Sequence, residues 1–205
     1  MDNQANCKCS ACGEIFKMDV HQSINVSKDP SLKGKVLDGS LFMGECPRCG
    51  QKNLARYTTL YHDPSQKLLV LLSDGNPTAE DAIAKAFTQS EGMDGYTARF
   101  VDDVGSLVEK VKIFDAGLDD RAMEMCKYVT CMEMGKELSF KFFRLDGADG
   151  DITLTYPGEG QMEMVNIGFN VYSDCERILS RNPSITQQTT GFVRIDSQWI
   201  ARFFR

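Results

Sequence analysis

Four cysteines in two matching pairs are the residues of this chain best suited to chemistry. They lie in Cys9-Ser-Ala-Cys12-Gly and Cys46-Pro-Arg-Cys49-Gly, which share the pattern CxxCG. Four thiolates that arrive as two CxxC pairs match the tetrahedral coordination of Zn²⁺, and a closed all-thiolate site leaves no position open for a substrate. The spacing therefore predicts a structural zinc site at Cys9, Cys12, Cys46 and Cys49, with redox-active dithiols as the alternative.

The chain has eight cysteines in all, so other uses of sulfur have to be weighed. Cys7 lies two residues before Cys9, and a CxC pair can also bind zinc, but using Cys7 as a ligand breaks the match between the two CxxCG turns. As a free thiol beside Lys8, Cys7 is instead a candidate reactive cysteine. A disulfide framework is typical of secreted proteins, and residues 1–6 lack the basic and apolar regions of a secretion signal. The sequence thus favours a metal over disulfides and predicts a cytoplasmic protein.

The acidic charge balance limits the partners that the surface can attract. The chain has 23 lysine and arginine residues against 29 aspartate and glutamate residues, a net charge of −6. This balance disfavours nucleic acid as a partner, although residues 1–75 are nearly neutral and leave room for a local basic surface. A nucleic-acid-binding zinc ribbon is therefore one alternative function. Its candidate contacts are Lys28, Lys33, Lys35, Arg48, Lys52 and Arg56.

His62 and Asp63 are the neighbouring side chains that most invite a catalytic interpretation. A histidine can act as a general base, so a hydrolase using His62 is a second alternative function. The two residues end a segment that reads as a strand, in which successive side chains point to opposite faces, and a direct pair is not expected. The sequence contains no phosphate-binding loop, HExxH motif or Ser/His/Asp order. We therefore predict no catalytic residue and favour a protein that is not an enzyme.

The elements that must position these residues include both strands and helices. Strands are predicted at 54–62 and 67–72, and at 138–145, 152–156 and 161–167 near the carboxyl end. Two helices flank Gly117 with a short connection, so they are predicted to form an antiparallel helical hairpin. The second helix has a narrow apolar stripe, formed by Leu118, Ala122, Met125, Val129 and Met132. No apolar run reaches the roughly 18 residues that a membrane span needs, so no membrane is expected as a partner.

Several stretches of the chain resemble the CpXC family of bacterial and archaeal proteins, which is named for its paired cysteine motifs. Besides the two cysteine knuckles, the matching stretches are Asp29-Pro-Ser-Leu, Leu37-Asp-Gly-Ser, Tyr61-His-Asp and the run from Glu109 to Asp120. The resemblance covers roughly residues 7–135. In the first knuckle, Ser10 replaces the proline of the family pattern. The resemblance implies a zinc-ribbon fold, and it implies no catalytic residue because the family has no assigned activity.

The predicted fold class is α+β, with an amino-terminal four-cysteine zinc ribbon that includes a β-hairpin, then the helical hairpin and a mixed α/β segment. We expect a zinc-ribbon domain with the helical hairpin at residues 1–136 and an α+β segment at residues 137–205. The expected cofactor is a structural Zn²⁺, and no other cofactor is predicted. The favoured function is a protein-interaction or scaffold module, with another protein as its partner.

Overall fold

A computed structural model describes residues 4–55, 57–73, 75–147, 150–187, 189 and 191–204 of the chain. The strands are β1 (Gln4–Lys8), β2 (Ile15–Asp19), β3 (Ser23–Asn25), β4 (Met43–Glu45), β5 (Lys52–Leu54), β6 (Thr59–Asp63), β7 (Leu68–Leu72), β8 (Thr97–Val101), β9 (Lys141–Leu145), β10 (Ile152–Pro157), β11 (Met162–Ile167) and β12 (Phe192–Val193). The helices are α1 (Ser31–Leu37), α2 (Pro77–Gln89), α3 (Val104–Asp115), α4 (Asp120–Met134), α5 (Phe169–Arg181), α6 (Pro183–Gln187) and α7 (Ser197–Ala201). This mixture of helices and sheets confirms the predicted α+β class.

The chain divides into two compact units, Met1–Val108 and Glu109–Arg205. All of α4 belongs to the second unit, whereas the predicted domain 1–136 grouped it with the cysteine motifs. The division into separately folding domains at residues 1–136 and 137–205 stays a prediction. Within the described residues, none of the helices combines the length and the apolar character that crossing a bilayer requires.

Two small antiparallel hairpins form the first part of unit 1. β1 pairs with β2 so that Cys7 lies opposite Phe16, and β4 pairs with β5 so that Gly44 lies opposite Asn53. The hairpins approach closely at Gly44, where an added Cβ would lie 3.1 Å from both the Phe16 ring and the Met18 sulfur. A glycine fits this close approach, because any side chain would make Phe16 and Met18 shift by a few tenths of an ångström. We call these two hairpins the ribbon.

A further sheet in unit 1 has β7 between β6 and β8, with β3 beside β6. β6 and β7 are antiparallel, whereas β3–β6 and β7–β8 are parallel. A parallel pair needs a crossover connection, which α2 supplies between β7 and β8. All five residues of β7 are buried, as expected for a central strand with an unbroken apolar sequence. Asn76 caps α2 by accepting hydrogen bonds from the backbone N–H groups of Thr78 and Ala79.

The strand predicted at 54–62 is wrong in one respect, because the structure divides it. Leu54 ends β5 in the ribbon, and Thr59 begins β6 in the neighbouring sheet. The segment is rich in residues that favour strands, such as Tyr57, Thr58 and Thr59, but its two ends pair with different partners. Leu54 lies opposite Met43, whereas Thr59 lies opposite Leu72.

Unit 2 is built from an antiparallel three-stranded sheet, in the order β11-β10-β9, together with helices that include α4, α5 and α7. Its apolar core combines residues of all these elements, including Met123, Ile152, Leu154, Tyr172 and Trp199. The predicted apolar stripe of α4 holds only over the first turns, since Met132 is 67% exposed. Residues 122–127, by contrast, are all buried, so this part of the helix is covered on every side.

Charged side chains account for part of that burial. Lys110 on α3 lies 2.9 Å from Asp120 and 3.8 Å from Glu124, both on α4. Lys127 on α4 lies 2.6 Å from Glu124 and 3.0 Å from Glu109 on α3. These five residues are buried, and we call them the ionic network. Because its ion pairs join Glu109 and Lys110 on α3 to residues of α4, the network links these two consecutive helices.

Candidate metal centre

The two cysteine knuckles have the same backbone hydrogen bonds. In the first, the Cys9 N–H donates to the Glu14 carbonyl and the Gly13 N–H donates to the Cys9 carbonyl. In the second, the Cys46 N–H donates to the Gln51 carbonyl and the Gly50 N–H donates to the Cys46 carbonyl. Gly13 and Gly50 have φ angles of 74° and 71°, in the left-handed region that glycine adopts at little cost. The repeated CxxCG sequence therefore produces a repeated turn.

Each knuckle connects the two strands of a hairpin, and the ribbon brings the two turns together. The Cys9 and Cys49 Sγ atoms are 3.5 Å apart, and the Cys12 and Cys46 Sγ atoms are 3.7 Å apart. All four sulfur atoms lie within 4.8 Å of one another, a grouping that could hold a metal ion. Cys9 and Cys46 are buried, Cys12 is half-buried and Cys49 is exposed. The four cysteines singled out from the sequence thus converge at one point.

The environment of the thiols makes their acidities unequal. The Cys9 sulfur accepts hydrogen bonds from the backbone N–H groups of Cys12 and Ala11, which lower its pKa to about 6 despite burial. A hydrogen bond from the Gln51 N–H lowers the pKa of Cys49, but contacts with the Cys12 and Cys9 sulfurs outweigh it and raise this pKa to about 12. Four sulfur atoms this close together are suited to a divalent cation, because the cation offsets the repulsion between thiolates.

Three basic residues lie close to the cysteines in sequence. Arg48, inside the second knuckle, lies 3.5 Å from Glu14, which follows the first knuckle. This ion pair links the two knuckles at the surface. The side chains of Lys8 and Lys52 are also exposed close to the cysteines in sequence. Four thiolates with one Zn²⁺ carry a net charge of −2, so these cations fit the donor set.

Asn53 is a buried polar residue of the centre that the sequence analysis missed. Its Oδ1 accepts hydrogen bonds from the Ser10 backbone N–H at 2.8 Å and from the Ser10 hydroxyl at 3.0 Å. Its Nδ2 donates to the Gln51 carbonyl at 2.8 Å. Asn53 lay just before the strand predicted at 54–62, and its partner Ser10 is on the other hairpin, so the local sequence carried no signal for this contact.

The other four cysteines are not members of the four-sulfur group. Cys7 is buried on β1 and is packed in the ribbon core, so its environment does not suit the reactive thiol considered from the sequence. Cys126 and Cys175 are buried in the apolar core of unit 2, where Cys131 is half-buried. The Cys131 thiol donates a hydrogen bond to the Leu138 carbonyl.

His62 and Asp63 point to opposite faces of β6, and each has its own partners. The His62 ring lies 3.3 Å from the Asn25 amide through Nδ1 and 3.0 Å from the Tyr96 hydroxyl through Nε2. Asp63 is buried on the other face, where it accepts hydrogen bonds from Lys33 and Ser65. No His–Asp pair forms between them.

The His62 ring can be assigned a neutral tautomer. Asn25 Oδ1 accepts hydrogen bonds from the backbone N–H groups of Ser27 and Lys28, which directs Asn25 Nδ2 toward the ring. Nδ1 of His62 is therefore the acceptor, and Nε2–H donates to Tyr96. Burial lowers the pKa of His62, although the charge of Asp63 opposes this effect. The hydrogen bonds of the ring and its lowered pKa therefore both favour the neutral form.

Some of the basic residues predicted to contact nucleic acid are paired with carboxylates. Lys33 pairs with Asp63 at 3.2 Å, and Arg48 pairs with Glu14. Arg56 lies outside the described residues. Lys28, Lys35 and Lys52 are exposed. Part of the positive charge in this region is therefore neutralised by neighbouring carboxylates.

Comparisons with known proteins agree with the resemblance seen in the motifs. Residues 7–127 match the family model described as CpXC protein. Neither the curated proteins nor the solved structures include a match to the chain. The family match spans more than half of the 205 residues and contains all four converging cysteines. On this evidence, the chain belongs to the CpXC family.

Proposed function

We propose that this chain is a zinc-binding protein with a structural four-cysteine site, and that its ribbon is a module for binding another protein. The convergence of the four Sγ atoms within 4.8 Å supports zinc as the ligand. Cys₄ sites are typical of structural zinc, because four protein ligands fill the tetrahedral shell and leave no place for a substrate. The metal then holds the ribbon together and takes no part in a reaction.

The small size of the ribbon supports a structural role. Its apolar core contains few side chains besides Cys7, Phe16, Met18 and Val20 and two of the metal-site cysteines. Such a core is too small to stabilise two short hairpins on its own. Zinc bound by four thiolates contributes on the order of 10 kcal/mol to the folding of small domains. We therefore expect the ribbon to lose its structure when the metal is removed.

Elemental analysis tests the metal directly. The purified protein should contain one zinc ion per chain, and Cys46→Ser should lower this content strongly. Cys7→Ser is the matched control, because Cys7 is a buried ribbon cysteine outside the sulfur group. After removal of the metal with a chelator, amide hydrogen exchange in residues 43–54 should become fast. A wild-type protein without zinc, purified under reducing and chelator-free conditions, would refute the proposal.

An exposed apolar pair on the ribbon supports the proposed interaction with a protein. Met43 and Leu54 lie opposite each other on β4 and β5 and are 40% and 59% exposed. Neighbouring exposed apolar side chains are typical of protein-binding surfaces. Lys52 and Glu45 flank them as a second cross-strand pair. This mixture of apolar side chains and both charge signs suits a protein better than a nucleic acid.

Paired variants distinguish the two classes of partner. Leu54→Glu should reduce capture of a specific protein from native cell extract, while the zinc content stays at one ion per chain. Met162→Glu in unit 2, which replaces a similarly exposed apolar residue, is the control. Salt-dependent retention on immobilised nucleic acid that is weakened by Lys52→Glu would instead favour the nucleic-acid alternative. Cytoplasmic location stays a prediction from the sequence.

A further inference from the structure

The contact between Asn53 and Ser10 joins the two halves of the cysteine centre. Asn53 lies on β5, immediately after the second knuckle, whereas Ser10 lies inside the first knuckle. Asn53 is only 6% exposed, and its side chain forms three hydrogen bonds. Two of them reach across to Ser10, and the third holds the side chain to the Gln51 carbonyl of its own hairpin. Asn53 is therefore anchored on one knuckle and bonded to the other.

The hydrogen bonds of the first knuckle show why this contact matters. Within this turn, the Cys9 N–H donates to the Glu14 carbonyl and the Gly13 N–H donates to the Cys9 carbonyl. The Ser10 N–H donates to Asn53, which belongs to the other hairpin. Asn53 thus satisfies a backbone donor of the turn that carries Cys9 and Cys12.

The second knuckle does not need an acceptor at the equivalent position. Pro47 occupies the position that matches Ser10, and proline has no N–H group. The first knuckle differs because serine adds two donors, the backbone N–H and the hydroxyl. A buried side chain that accepts both, and that itself belongs to the opposite hairpin, fixes the position of one turn against the other.

We propose that Asn53 is a positioning residue for metal binding: by accepting both donors of Ser10, it holds the first knuckle at the place where its two sulfurs can share one metal ion with those of the second. This inference rests on the proposed zinc site and extends it to a residue that does not touch the metal. Groups that orient metal ligands in this way commonly change metal affinity about 10- to 100-fold when they are removed.

The experiment measures zinc affinity and zinc release by competition with a chromophoric chelator. Asn53→Ala should weaken zinc binding about 10- to 100-fold and accelerate its release. Ser10→Ala removes only the hydroxyl donor, so it should weaken binding about 2- to 10-fold, the range for one hydrogen bond. Asn6→Ala, an exposed asparagine on β1 of the same ribbon, is the matched control and should leave both quantities unchanged.

Two further measurements separate positioning from general destabilisation. Cobalt(II) bound to Asn53→Ala should show altered visible absorption, because the sulfur atoms around the metal are displaced. Ser10→Pro removes both donors. The double variant Ser10→Pro/Asn53→Ala should therefore lose much less zinc affinity than the sum of the losses of the two single variants. Additive effects of these two substitutions would overturn the inference.

The outcomes also separate this inference from the proposed function. Wild-type protein without bound zinc would refute the zinc site itself. Zinc at one ion per chain with unchanged affinity and release in Asn53→Ala would overturn the positioning role alone. If Asn53→Ala does not fold, Ser10→Ala decides the matter: weaker binding supports the inference, and binding equal to that of Asn6→Ala overturns it.

Discussion

Removal of Lys127 from the ionic network is the most demanding test of how unit 2 is stabilised. Its Nζ lies 2.6 Å from Glu124 and 3.0 Å from Glu109, and all three residues are buried. Burial disfavours the charge of Lys127, but the two carboxylates outweigh this effect and raise the pKa of the lysine. Lys127→Met keeps much of the side-chain volume and removes only the cation. The two buried carboxylates then lose their shared partner.

The remaining contacts set the size of the expected effect. Removing one partner of a buried ion pair costs about 3–5 kcal/mol. Glu109 keeps Lys141 at 3.4 Å and the Phe142 N–H at 2.6 Å, and Glu124 keeps Lys110 at 3.8 Å. Burial also raises the pKa of Glu124, so this carboxyl can become neutral when its partner is lost. We therefore expect the lower end of the range, about 3 kcal/mol.

Urea unfolding followed by tryptophan fluorescence measures this loss. Trp199 is the only tryptophan of the chain and is buried in the core of unit 2, so its emission reports on that unit. With an m value of about 1.5 kcal/mol/M, a loss of about 3 kcal/mol lowers the urea midpoint by about 2 M. Arg177→Met, which removes an exposed ion pair with Asp174, is the control and should change stability by less than about 1 kcal/mol. Equal midpoints for the two variants would refute our account of the network.

Three further predictions concern single side chains. Gly44→Val should destabilise the ribbon by about 1–3 kcal/mol in chemical unfolding, because its Cβ alone would lie 3.1 Å from Phe16 and Met18; an unchanged midpoint would contradict the close approach. Burial lowers the pKa of His62 below 6.5 in the folded protein. The contribution of the neutral ring to folding stability is therefore complete above pH 6.5 and is lost as the pH falls through the folded-state pKa. The acid-induced loss of stability should therefore be smaller in His62→Gln, and an identical pH profile would count against this. Asp119→Ala should cost about 1 kcal/mol in the tryptophan-detected unfolding of unit 2, since this side chain caps α4; no loss would show that the cap is dispensable.

The sequence predicted the cysteine knuckles well because their structure is local. Each turn is determined within one short segment, by two cysteines three positions apart and the glycine that follows them. Both turns form as expected. Convergence of the two turns also followed from the matching motifs, because a tetrahedral ion needs four ligands. Zinc as the bound ion stays a proposal.

Contacts between distant residues were harder to predict. Glu109 and Lys127 are 18 positions apart, and nothing in either segment shows that their charges meet inside the protein. Charged residues in a helix normally indicate a solvated face, so the apolar stripe of α4 appeared narrower than its buried surface. Asn53 escaped notice for the same reason, because its partner Ser10 lies on another hairpin. Such pairs depend on the fold and not on local pattern.

The path of the chain through unit 1 restricts how the protein can be shortened. β3 lies between the two ribbon hairpins in sequence, yet it pairs with β6, which comes after both. A fragment that ends after β5 contains β3 but lacks its partner strand β6. A fragment that starts at β6 lacks β3, so the backbone N–H and C=O groups on that edge of β6 are unpaired and favour self-association. Truncated versions for expression should therefore retain both parts, since neither can be excised cleanly from the other.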